Sequence, residues 1–154
     1  MEFVKPIMHQ LEITNQSIVQ ILEFLNESDL ELSLGEKKRT VRELLAHLAV
    51  ICQADFLIMN EATQQEMEEF YERHQPQTKK EIKETLLAHF AFLKDNTARF
   101  STEEWSAVTT SWWGVSYSRY EWLLEILGHI YHHRGQLQTV LVINGRDPKI
   151  PLFE

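Results

Sequence analysis

The chain is almost devoid of cysteine: Cys52 is the only one in 154 residues. An intrachain disulfide is therefore excluded, as fits a reducing compartment. None is needed, because a chain of this length can bury roughly 68–70% of its unfolded surface. The length suits one compact domain over residues 1–154. Glycine and proline are scarce, at five and four residues. Most of them fall between or at the ends of helix-periodic segments, so long elements run uninterrupted. Basic residues are outnumbered, 15 against 23 acidic, for a net charge of −8. That balance argues against a nucleic-acid partner, which selects for a basic face. The runs Lys37-Lys38-Arg39 and Lys79-Lys80 sit beside acidic residues and read as solvated helix entrances. No apolar run approaches the ~18–20 residues of a membrane span. The opening MEFVKPIMHQLEI has no apolar core followed by small residues at a cleavage site. A cytoplasmic protein without a membrane partner is expected.

What the chain does have is helical periodicity. Ile7, Leu11, Ile18, Leu22 and Leu25 recur mostly at three- to four-residue steps, with Ile21 beside them. Three capping boxes follow, in which a Ser or Thr caps the first amides and a Glu three residues on reaches back. Thr40 and Glu43 open a second helix with Val41, Leu44, Leu45, Leu48, Cys52, Phe56 and Met59 on one face. Thr78 and Glu81 open a third, with Ile82, Leu86, Phe90 and Leu93. Ser118 and Glu121 open a fourth, with Trp122, Ile126, Ile130, Leu137 and Leu141. Asn144-Gly145 can close that helix through a left-handed glycine, at a length of about 25 residues or roughly 37 Å. No segment alternates with period two. The expected fold is all-α, a four-helix bundle. A long connection over 99–117 separates the third and fourth helices and carries Trp105, Trp112, Trp113 and Tyr117. Such a segment can be a lid over a site, or it can close one end of the bundle.

Three of the seven histidines fall within GHIYHHRGQL, residues 128–137. On a helix, His129 can share an ion with His133 at i+4 or with His132 at i+3, and spacing alone does not choose. A third ligand must come from another helix. His47, between Leu45 and Leu48 in LLAHL, is the first candidate, and His89 in LLAHFAFL is the second. His74 and His9 read as solvated. Taken alone, a histidine such as His47 is ordinarily a hydrogen-bonded core or boundary residue.

GHIYHHRGQL, with His47 upstream in LLAHL and the tail NGRDPKIPL after the last helix, resembles the DinB/YfiT-like family of metal-binding four-helix bundles. The resemblance covers most of the chain. It implies a divalent metal ion, zinc or nickel, held by His47, His129 and His133. It makes His132 a neighbour and leaves His89 without a counterpart. Relatives of this kind include bacillithiol S-transferases and a mycothiol-dependent isomerase. The resemblance thus implies a transferase that adds a low-molecular-weight thiol to an electrophilic small molecule, and a homodimer. Three neutral imidazoles leave such an ion its full charge and an open position. An ion so held can lower the pKa of bound water to about 7 or ionise a thiol. A metal-dependent hydrolase with Glu43 or Glu125 as base is the alternative, and a non-enzymatic metal or small-ligand binding protein is another.

The remaining expectations concern neighbouring groups. Glu43 and Glu125 each precede a ligand histidine by four residues and can reach its other ring nitrogen, but the favoured reading keeps Glu43 in its capping box and Glu125 facing solvent. Gln136 can touch the metal's water or a substrate. Arg134 can pair a substrate carboxylate or tie helices together, the latter being favoured. Gly135 inside a helix suggests close helix approach. Asp55 interrupts the inner face of the second helix as a buried charge without an assigned role. Cys52 reads as packed, not nucleophilic.

Overall fold

The structure, a computed structural model, describes residues 2–153. Four long helices dominate: α1 (Val4–Phe24), α2 (Val41–Met59), α4 (Lys79–Thr97) and α6 (Arg119–Ile143). The expected third and fourth helices are α4 and α6. Each of α2, α4 and α6 starts at its expected capping box. In α2 the Thr40 amide donates to Glu43 Oε2 at 2.7 Å, and the Glu43 amide donates back to Thr40 Oγ1 at 3.2 Å. α6 ends as anticipated: Gly145 takes φ +73°, Arg146 N donates to Leu141 O and Gly145 N to Val142 O. Those two bonds satisfy carbonyls that the last turn would otherwise orphan.

The apolar stripes meet as a bundle. α1 and α2 each pack against both α4 and α6, which places α1 and α2 on opposite corners. Every stripe residue named above is buried except Phe90, which is half-buried against the same core. No helix among the described residues is long and apolar enough to cross a membrane.

Two elements depart from the expected layout. A short helix, α3 (Gln64–Arg73), follows α2 and turns Met67 and Phe70 into a small second core with Val50 and Ala54. The 99–117 connection is also structured. It holds α5 (Thr102–Ser106) and an antiparallel hairpin of β1 (Val108–Thr110) and β2 (Ser116–Ser118). Strands of three residues are too short to print an alternating pattern. The aromatics of this segment divide between the two roles considered for it. Trp105 is 2% exposed and closes the bundle end, whereas Trp112 and Trp113 are 49% and 47% exposed at the hairpin tip.

Candidate metal centre

His47 lies in the second turn of α2, and His129 and His133 stand one turn apart in the middle of α6. Because α2 and α6 pack together, the three rings meet across their contact. His47 Nε2 and His129 Nε2 are 3.3 Å apart, and one ring nitrogen from each of His47, His129 and His133 lies within 4.8 Å of the others. Two nitrogens bound ~2.0–2.1 Å from one ion at a tetrahedral angle stand about 3.3 Å apart. The three residues thus fit a divalent ion, and the donor set of three imidazoles suits a first-row transition metal.

Neighbours fix which nitrogens face inward. His129 Nδ1 donates to Asp55 Oδ2 at 2.7 Å, and His133 Nδ1 donates to Gln136 Oε1 at 2.8 Å. An acceptor at Nδ1 holds the hydrogen there and leaves the Nε2 lone pair for an ion. Asp55 thereby gains its role. It lies two turns past His47 on α2 and reaches across to α6, so Glu125 is not the carboxylate that orients His129. Glu43 is engaged by Thr40 and does not serve His47. Gln136 also differs from expectation, because both ends of its amide are used. Its Nε2 donates to exposed His132 Nε2 at 2.9 Å while its oxygen holds His133. His132 is therefore a neighbour that helps fix Gln136.

The electrostatics suit ligation. Burial, reinforced by His133, Arg39 and His129, pushes His47 down to about 3. Burial also lowers His133, with Gln136 opposing. Both rings are thus neutral at pH 7, as metal binding requires. His129 is raised, chiefly by its hydrogen bond to Asp55. Cys52 is fully buried and its thiol is pushed up to about 12 by burial, so it is a packing residue.

The other singled-out residues lie apart. His89 is buried on α4, with ring centroids 5.0 Å from His74 and 5.8 Å from Phe70, and does not join the three. His74 is not simply solvated: it caps α3, donates from Nδ1 to Phe70 O at 2.7 Å and stacks on Phe70 at 4.3 Å. His9 is exposed as expected. Arg134 is 3% exposed and binds Ser17 Oγ on α1 at 2.9 Å and the Leu152 carbonyl. It ties helices and tail together, the favoured reading. Gly135 does not mark a close approach, since a Cβ there would meet nothing within 4 Å. It lies instead on the wall of an open groove.

Two depressions flank the histidines. A groove of about 710 Å³ runs beside His133 and Gln136, edged by Lys37, Lys38 and Arg39. These exposed cations are helix-entrance residues, but they also give that side a positive rim. On the side of His129 a cavity of about 450 Å³ is walled by Asp55, Tyr71, Trp112, Trp113, Trp122 and Glu125. The hairpin tip takes the site-covering role considered for the 99–117 segment, whereas the contribution of α3 was not foreseen, because α3 lacks a recognisable stripe.

The comparisons with known proteins bear on the family and the fold. The DinB family model matches residues 2–150. A structure described as a putative member of the DinB family from Exiguobacterium sibiricum 255-15 is 30% identical. It superposes with a TM-score of 0.86 over 99% of each chain. A DinB-like protein from Bacillus cereus ATCC 10987 shares the fold at 15% identity and TM-score 0.73, covering 92% of this chain and 93% of that one. Another from Bacillus subtilis does so at 12% and 0.74, covering 97% of each. No curated protein matches. With the family model spanning nearly the whole sequence, the chain belongs to the DinB family.

Proposed function

We propose that this protein holds a zinc or nickel ion at His47, His129 and His133 and transfers a low-molecular-weight thiol to an electrophilic small molecule. The observation that carries the reading is the convergence of three ring nitrogens within 4.8 Å of one another, two of them aimed by their own acceptors. A dication at that point supplies the charge that ionises a thiol or water. The chain supplies the rest. Asp55 and Gln136 hold two of the rings in one orientation. The basic rim of the groove beside His133 favours an anionic thiol, and the cavity beside His129 offers the electrophile a separate approach.

The hydrolase reading keeps the same site, with Glu125 as base. It is favoured by the place of Glu125 on the cavity wall, where burial raises its carboxyl pKa. Glu43 drops out because its carboxylate is bound at the helix start. Elemental analysis of protein purified without an affinity tag tests the centre. One equivalent of metal is expected, falling at least tenfold in the His129→Ala/His133→Ala variant; equal trace metal in both rejects it. Product analysis with and without added thiol then separates the chemistries, since turnover indifferent to thiol removal rejects the transferase. Failure to turn over a broad electrophile and ester panel, with metal and thiols supplied, would leave a non-enzymatic binding protein. Cytoplasmic location and a homodimer complete the proposal. Sedimentation at micromolar concentration checks the latter, and a monomer rejects it.

A further inference from the structure

The cavity beside His129 has a wall chemistry that goes beyond what an ion at the histidines requires. Its outer side is aromatic. Trp112 and Trp113 meet edge to face at 5.2 Å and 83°, and Trp113 meets Trp122 at 6.5 Å and 89°. Indole faces at right angles form a corner, and Trp112 and Trp113 leave about half their surface in water. Large exposed aromatic surface beside a concavity marks a place where a ligand covers it. The charged lining is of one sign. Asp55, Glu68 and Glu125 line the cavity together with His129, and neither lysine nor arginine does. Asp55 is occupied by His129, and Glu68 accepts one hydrogen bond from Gln64. Glu125, exposed at the cavity edge, makes no hydrogen bond or ion pair with any described residue; partial desolvation and Asp55 raise its carboxyl pKa, with His129 opposing. Glu68 and Glu125 are exposed at the edge of this aromatic cavity, where their charge draws a cation toward it.

We infer that this cavity binds a cationic organic group, an ammonium carried on an apolar or aromatic body, between the Trp112–Trp113 corner and the carboxylates of Glu68 and Glu125. Indole faces attract such a cation through their quadrupole when it lies within about 6 Å of the ring centroid. The carboxylates supply the longer-range field. A dication at the histidines does not reverse the sign, because three carboxylates outweigh it. The inference rests on the proposed thiol transfer only in naming the electrophile's class. The site itself requires neither metal nor thiol.

The test uses tryptophan fluorescence of the full-length protein, both metal-free and zinc-loaded. The probes are benzyltrimethylammonium, its neutral isostere neopentylbenzene, and phenylacetate. Benzyltrimethylammonium has no lone pair to give a metal, so its binding reports the cavity alone. The expected result is at least tenfold tighter binding of the cation than of either other probe, in both forms of the protein. Glu125→Gln and Glu68→Gln are each expected to weaken the cation three- to tenfold and leave neopentylbenzene unchanged. Trp113→Ala is expected to weaken both, and circular dichroism melts confirm that each variant folds. Equal or tighter binding of the neutral or anionic probe overturns the inference. So does cation binding indifferent to both glutamine variants. Cation selectivity in a protein that holds no metal would reject the proposed function and keep this site. Stoichiometric metal without selectivity would do the reverse.

Discussion

Asp55 carries a charge into the inner face of α2, and its geometry explains why the bundle tolerates it. The His129 ring donates to it at 2.7 Å, so the carboxylate is hydrogen-bonded in place of water. Asp55→Asn is expected to weaken metal binding about 10–100-fold without loss of helix content. Competition against a chromophoric chelator reads the first and circular dichroism the second; unchanged affinity would remove Asp55 from the centre. His89 gives a different readout. Burial and nearby His74 push it down to about 4 from 6.5. Above pH 6.5 it is neutral in both folded and unfolded chains. As pH falls from 6.5 toward 4 the unfolded chain takes up the proton first, so stability is lost across that window, on the order of 1–3 kcal/mol. Urea unfolding of metal-free protein at pH 7 and 4.5 should show the fall, and His89→Leu should make it shallower. His47, lowered for the same reason, keeps it from vanishing. At this scale the sequence was informative about which residues to watch and silent about partners. Spacing left His132 and His133 equivalent until the family resemblance chose. The role of Asp55 stayed hidden because its partner lies 74 residues away.

The four long helices were legible because each combines a strong start signal or a regular stripe with enough turns to repeat it. Shorter elements fail that test. α3 buries only Met67 and Phe70, and its other residues face solvent or lie at the margin, so no stripe forms. Its start was nevertheless written in the chain, as Thr63 and Glu66 form a capping box like the three recognised ones. Ser101 and Glu104 do the same for α5. The hairpin buries only Thr109 across its strands. Within α6, Arg134 joins three parts of the molecule, with Ser17 on one side, the Leu152 carbonyl on the other, and Tyr131 and Phe153 rings each 4.9 Å from its guanidinium carbon. Arg134→Met keeps much of the volume and loses the hydrogen bonds. It is expected to cost about 2–3 kcal/mol in chemical denaturation. It should also release the tail, so that limited trypsin treatment cuts after Lys149 faster than in the parent. Unchanged cleavage would show that the tail is held by other contacts.

For the whole molecule, an ion at the histidines is a clip between α2 and α6. Any ligand that binds only the folded chain stabilises it by mass action, by about 2.7 kcal/mol at one hundred times its dissociation constant. For a domain of this size that corresponds to a rise of roughly 5–10 °C in Tm. Zinc or nickel titration in a thermal melt should show the rise, and the His129→Ala/His133→Ala variant should not. A rise in both would place the ion elsewhere. The hairpin is secured independently of that clip. Thr110 N donates to Glu61 Oε1 at 2.9 Å, Arg119 Nε donates to Asn60 Oδ1 at 3.2 Å, and Ser111 N closes the tip on Val115 O at 2.8 Å. The tip bearing Trp112 and Trp113 therefore hangs from the far end of α2 and the start of α6, while the histidines sit deeper along the same two helices. Trp112 and Trp113 can change while Gly114, at φ +92°, keeps the turn and the three histidines stay where they are. The exposed tip and the histidine cluster are thus separable: a change in one need not disturb the geometry of the other.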